Sequence, residues 1–96
     1  MSKKQYILLD KFCRHTNISD VFLKELIEFD MISHQQIDNT LYLLEDEIDT
    51  IERMFRLHQD FGINTQGLDI INEMLLRIEE MESEILYLKK RLSLYE

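Results

Sequence analysis

The sequence predicts a mainly α fold: a winged helix-turn-helix with a small β-hairpin wing and a long C-terminal helix. Three observations carry that prediction. Two short apolar-faced segments meet at a break, Thr16-Asn17, as the helices of a helix-turn-helix do. A strand-like run is interrupted by Asp38-Asn39, a pair suited to a two-residue turn. From Ile71 onward the apolar residues fall into the strict alternation of a heptad repeat.

Each element has its own reason. Leu9, Phe12 and Cys13 share one face of the first helix. Ser19 is a good N-cap for the second, with Asp20 in its first turn and Phe22, Leu23, Leu26, Ile27 and Phe29 as its apolar stripe. Ile37 precedes the Asp38-Asn39 turn and Thr40 to Leu44 follow it, so a hairpin lies where a wing would. Over residues 45–61, Ile48, Ile51, Phe55 and His58 recur at helical spacing, widened by Met54 and Leu57. Glu45, Asp46, Glu47 and Asp49 load the start of this helix, where the helix dipole favours anions.

"FGINTQG", Phe61 to Gly67, holds the only two glycines of a chain without proline. Gly62 fits the left-handed position that ends one helix, and Asn64 caps the next. Gly67 falls one turn into that helix, where glycine costs about 1 kcal/mol against alanine. Close packing of another helix, or of the hairpin, against its bare backbone is the expected reason. The Gly-x-x-x-x-Gly spacing is not a phosphate loop, because Leu68-Asp69 stands where that motif needs Lys-Ser/Thr.

The last helix places Ile71, Ile78, Ile85 and Leu92 at heptad position a, and Met74, Met81, Leu88 and Tyr95 at d. Spanning about residues 65 to 95, it would be roughly 45 Å long, more than a small domain is wide. Its far end should therefore find a partner helix. Arg77, Glu84 and Arg91 at g and Glu82 and Lys89 at e would suit a parallel homodimer, though so short a seam leaves orientation open. The expected division is a winged helix-turn-helix unit over 1–62 and the long helix over 63–96.

Composition narrows the function. The 96 residues amount to one domain with a thin core, so burial against a partner is expected. The net charge of −8 disfavours nucleic acid. Residues 1–44 carry five Lys/Arg against six Asp/Glu, residues 45–60 two against six, and residues 61–96 four against seven. No apolar run is long enough to span a membrane, no secretory leader is visible, and the single cysteine suits a reducing compartment, so a cytoplasmic location is expected. His15, His34 and His58 fall on three different elements, and Cys13 and His15 point to different helix faces, so no metal site is expected. No nucleophile has a base beside it. Neither catalysis nor a cofactor is expected.

Two motifs support a resemblance. "FCRHTNIS", Phe12 to Ser19, and "LHQDFGINTQGLDIINEML", Leu57 to Leu75, resemble two stretches of the chaperone modulator CbpM family and its MerR-type winged-helix relatives. "ILYLKKRLSLYE" is similar to the charged helical tail of that family. The chain departs from the pattern at Asn17, where glycine is usual, and at Thr65 and Gln66, which replace more apolar residues. Asn tolerates left-handed backbone, so the turn can survive.

The resemblance implies a non-enzymatic regulator that binds the J-domain of a DnaJ-like co-chaperone and blocks its stimulation of Hsp70. A J-domain carries a basic helix, which an acidic binder would complement. The expected contacts are Glu25, Glu28 and Asp30 on the second helix and Asp46, Asp49 and Glu52 on the third. Ile71, Met74, Ile78, Met81, Ile85, Leu88 and Leu92 are the expected dimer seam. The alternative is a MerR-like DNA-binding regulator. Between Ser19 and Asp30, however, Lys24 stands alone against Asp20, Glu25, Glu28 and Asp30, and the wing has no Lys or Arg. A module serving dimerisation alone is the residual reading.

Overall fold

The computed structural model describes residues 5–95. Met1–Lys4, at the start of the expected N-terminal unit, and Glu96, at the end of the expected long-helix unit, lie outside them. The order is β1 (Tyr6–Leu8), α1 (Leu9–Thr16), α2 (Asp20–Glu28), β2 (His34–Ile37), β3 (Thr40–Leu44), a 3-10 turn (Glu45–Glu47), α3 (Ile48–Phe61) and α4 (Thr65–Ser93).

The helix-turn-helix forms as its residues require. Asn17 ends α1 in the left-handed region, at φ 62°, and its N–H donates to the Cys13 carbonyl. The Ser19 hydroxyl caps α2 by accepting from the Phe22 N–H at 3.1 Å. At the far end of α2, Asp30 takes the left-handed position that glycine more often fills, at φ 57°. The Met31 N–H reaches back to the Leu26 carbonyl and the Asp30 N–H to that of Ile27. Met31 and Leu26 are both buried, which supplies the hydrophobic contact of this kind of helix ending.

The wing hairpin is present, and both turn residues have positive φ, 50° at Asp38 and 64° at Asn39, as a type I′ turn demands. The sheet has a third strand that the sequence reading lacks. β1 pairs antiparallel with β3 in the order β1-β3-β2, with Ile7 opposite Leu43. Ile7, Leu41 and Leu43 therefore share the face turned to the core, while Tyr6, Leu8, Tyr42 and Leu44 share the other. Three residues with no turn signal around them, paired with a strand far along the chain, leave no local trace.

One core joins every helix. Leu9 and Phe12 come from α1, Phe22, Leu23 and Leu26 from α2, Leu43 from β3, Ile51 and Met54 from α3, and Leu68 from α4. On α3, Ile51 and Met54 carry the burial, whereas Ile48, Phe55 and Leu57 pack at its margin and His58 is exposed. The acidic start of that helix is wound as the 3-10 turn rather than as α-helix. Gly62 ends α3 at φ 65°, and the Asn64 side chain caps α4 by accepting from the Gly67 N–H at 2.9 Å.

Gly67 is crowded, but not by a helix or the hairpin. A Cβ there would lie 2.8 Å from the Ile63 Cγ2 and 3.3 Å from the Asn64 Oδ1. The residue that needs the space is therefore in the α3–α4 loop, folded back on the turn it introduces. Past Leu75, every described residue of α4 is exposed. The molecule measures 55 × 37 × 21 Å, with a radius of gyration of 16.9 Å. A compact chain of this length would have a radius of about 12–13 Å.

Candidate partner-binding surface

Five of the six expected acidic contacts are exposed and the sixth is half-buried. Glu25 is half-buried and accepts a hydrogen bond from the Thr65 hydroxyl, which ties the middle of α2 to the first residue of α4. That carboxylate is thus committed within the fold. Glu28 and Asp30 are exposed around the C-terminus of α2. Asp46 and Asp49 are exposed at the start of α3, and the loop between the two groups is anchored where the Ser33 N–H donates to the Glu47 carboxylate at 3.1 Å. Glu52, one turn after Asp49 on α3, lines a groove between α3 and the α1–α2 turn with Thr16, Ile18, Phe55, Arg56 and Asp60. None of the six forms an ion pair with another described residue.

The face of α2 that a DNA reader would present is acidic here. Asp20, Val21, Lys24 and Glu28 are its exposed residues. Lys24 is its single cation, and Asp20 holds the ammonium at 3.5 Å. The exposed cations of the first helix, Lys11 and Arg14, lie on a different element. Sequence reading located the acidity correctly but missed the Glu25–Thr65 tie, because nothing local links residues 40 apart.

His58 does structural work that its place in the stripe does not reveal. Its Nδ1–H donates to the Ile63 carbonyl at 2.7 Å, since a carbonyl can only accept. Its ring lies 5.2 Å from that of Phe22, centre to centre. One side chain thereby joins α2, α3 and the loop to α4. Cys13 is half-buried, and burial, followed by the Asp20 and Asp10 carboxylates, pushes its thiol up from the ordinary value. Among the described residues, no group of three His, Cys, Asp or Glu side chains is placed to hold a metal. Among the described residues, no helix is long and apolar enough to cross a membrane.

The expected seam is open along α4. Ile71 is half-buried, but Met74, Ile78, Met81, Ile85, Leu88 and Leu92 are all exposed, Ile85 to 52% and Leu92 to 64%. Leu68 and Leu75, one heptad apart on the neighbouring stripe, face the core instead. The first three turns of α4 therefore divide their apolar surface between the fold and the seam. Tyr95 falls just past the helix end at Ser93.

Comparison with known proteins fits this architecture. The chain is 24% identical to the chaperone modulatory protein CbpM of Escherichia coli K12 strain DH10B, with the match covering 88% of this chain and 85% of that protein. The proteins of the same name from Shigella boydii serotype 18 and Escherichia coli O157:H7 match at the same identity and coverage. The family described as MerR HTH family regulatory protein matches over residues 7–90. With helix-turn-helix, wing and all but the last three residues of the long helix inside that span, the chain belongs to the MerR helix-turn-helix family of regulatory proteins and is CbpM-like within it.

Proposed function

We propose that this protein is a non-enzymatic chaperone modulator of the cytoplasm, which binds the J-domain of a DnaJ-like co-chaperone and inhibits its stimulation of Hsp70. The observation that carries the reading is similarity to proteins named chaperone modulatory protein CbpM across 88% of the chain. The acidic outer face of α2 supports it, because a basic J-domain helix meets favourable charge where DNA phosphate would be repelled. Glu28 and Asp30 at the end of α2, Asp46 in the 3-10 turn, and Asp49 and Glu52 on α3 are the proposed contacts. Glu25 contributes by holding α4 against α2. A second copy completes the assembly through the α4 seam.

Titration calorimetry with the J-domain of a DnaJ-like protein from the same organism tests this. Binding at tens of micromolar or tighter is expected, weakened by Glu28→Lys with Asp30→Lys, or by Asp46→Lys with Asp49→Lys, and more so at low salt. No heat of binding to any such J-domain would sink the proposal. Membership of a helix-turn-helix family favours DNA binding as the second reading. A salt-sensitive gel shift at nanomolar protein would establish that reading instead.

A further inference from the structure

The two edges of the sheet are chemically unlike. β2 presents His34, Gln35 and Gln36, polar residues that suit an edge left in water. β1, at the other edge, presents Tyr6, Ile7 and Leu8 beside a groove of about 490 Å³ that Lys11, Phe12 and His15 of α1 complete. Alternate side chains of a strand point to opposite faces. Three consecutive β1 residues can line one groove only if the groove runs along the strand's edge.

The hydrogen bonding of β1 supports this. The Gln5 carbonyl accepts from the Glu45 N–H, so Gln5 and Ile7 direct their backbone groups at β3. Tyr6 and Leu8 consequently direct theirs outward. Among the described residues, no strand pairs with that side of β1. The Leu8 carbonyl begins α1, which leaves the Tyr6 N–H, the Tyr6 carbonyl and the Leu8 N–H as a short open ladder.

We infer that the outer edge of β1 and its groove are a docking site for an extended acidic peptide of another protein, added as a further strand. Charge selects the occupant. Lys11 and His15 flank the groove on the α1 side, and among the described residues no acidic side chain lines it. A second copy docking by the same edge would set two basic edges together. An acidic strand meets complementary charge there.

The side-chain pattern follows from the two faces. On the core side an added strand passes Lys11 and His15, which suit carboxylates. On the other side it extends the apolar surface of Tyr6, Leu8, Tyr42 and Leu44, which suits apolar side chains. A ligand alternating acidic and apolar residues satisfies both, in the manner of β-strand addition. This surface lies on β1 and α1, away from the proposed J-domain contacts on α2 and α3, and its use does not depend on that reading.

Fluorescence anisotropy of the full chain with a labelled, end-blocked peptide alternating glutamate and isoleucine tests the site. Saturable binding is expected, with no binding of the same peptide carrying lysine for glutamate. Lys11→Glu should weaken it about tenfold or more. Tyr6→Ala keeps the outward N–H and should lose only the side-chain contact. Tyr6→Pro removes that N–H without touching the ladder to β3, as proline at an edge can, and should abolish binding while circular dichroism stays unchanged. Equal binding of the lysine peptide, indifference to Lys11→Glu, or equal binding by the alanine and proline variants would overturn the inference. So would absence of saturable binding at millimolar peptide, or displacement of the peptide by a single-stranded oligonucleotide.

Discussion

Gly67 shows how one atom decides a local fold. Alanine there should gain helix propensity of about 1 kcal/mol. Its Cβ would instead press on the stiff, β-branched Ile63 at 2.8 Å and crowd the Asn64 cap. The expected outcome of Gly67→Ala is a net loss of about 1–2 kcal/mol in urea denaturation. The double variant with Ile63→Ala should cost less than the two single losses added together, because the colliding methyl is gone. The sequence identifies this glycine as anomalous, yet its neighbour emerges only once the loop is folded. Cys13 makes a second prediction. Its raised thiol pKa leaves less thiolate at neutral pH than a free cysteine has. Iodoacetamide should therefore modify native Cys13 more slowly than the unfolded chain at pH 8, and the native rate should climb as the pH rises toward the thiol's pKa.

At the scale of elements, the joints matter more than the elements they connect. Each helix is legible from its stripe and caps: Ser19, Asn64 and Gly62 act where their chemistry says they should. The relation between helices is not legible. α4 is fastened to α2 by the Thr65 hydroxyl on Glu25, and to α3 by His58 on the Ile63 carbonyl. Thr65→Val removes one donor and leaves a half-buried carboxylate short of a partner. A loss of about 1–3 kcal/mol in thermal or urea unfolding is expected, with helix content retained. β1 is the other element that sequence reading missed, and for the same reason. Its stability comes from β3, with Ile7 against Leu43, rather than from any pattern of its own. Exposure could be anticipated for five of the six candidate acidic contacts, whereas Glu25 looked identical to them until its partner was in place.

The whole molecule is a small core with a helix projecting from it. The core closes with Leu68 and Leu75, and beyond them α4 carries apolar seam residues that are exposed and outside the core cluster. In water such a surface is costly to leave open, at about 25 cal/mol for each Å². We therefore expect a homodimer joined along α4. Sedimentation should give twice the chain mass for the native protein and the single mass for the pair Ile78→Glu and Ile85→Glu. Circular dichroism should show the core of the variant intact, since neither residue touches it. An unchanged dimer mass in that variant would place the interface elsewhere.

The Thr65–Glu25 tie also has a mechanical meaning. It sits at the base of a helix whose projecting part, beyond Leu75, runs to Ser93, about 27 Å at the rise of an α-helix. A rotation of about 5° at that base sweeps the tip of the projecting part through about 2 Å. Breaking that hydrogen bond would thus be felt as leverage at the far end. A partner gripping the rod near Leu92 could read whether that distant latch is closed.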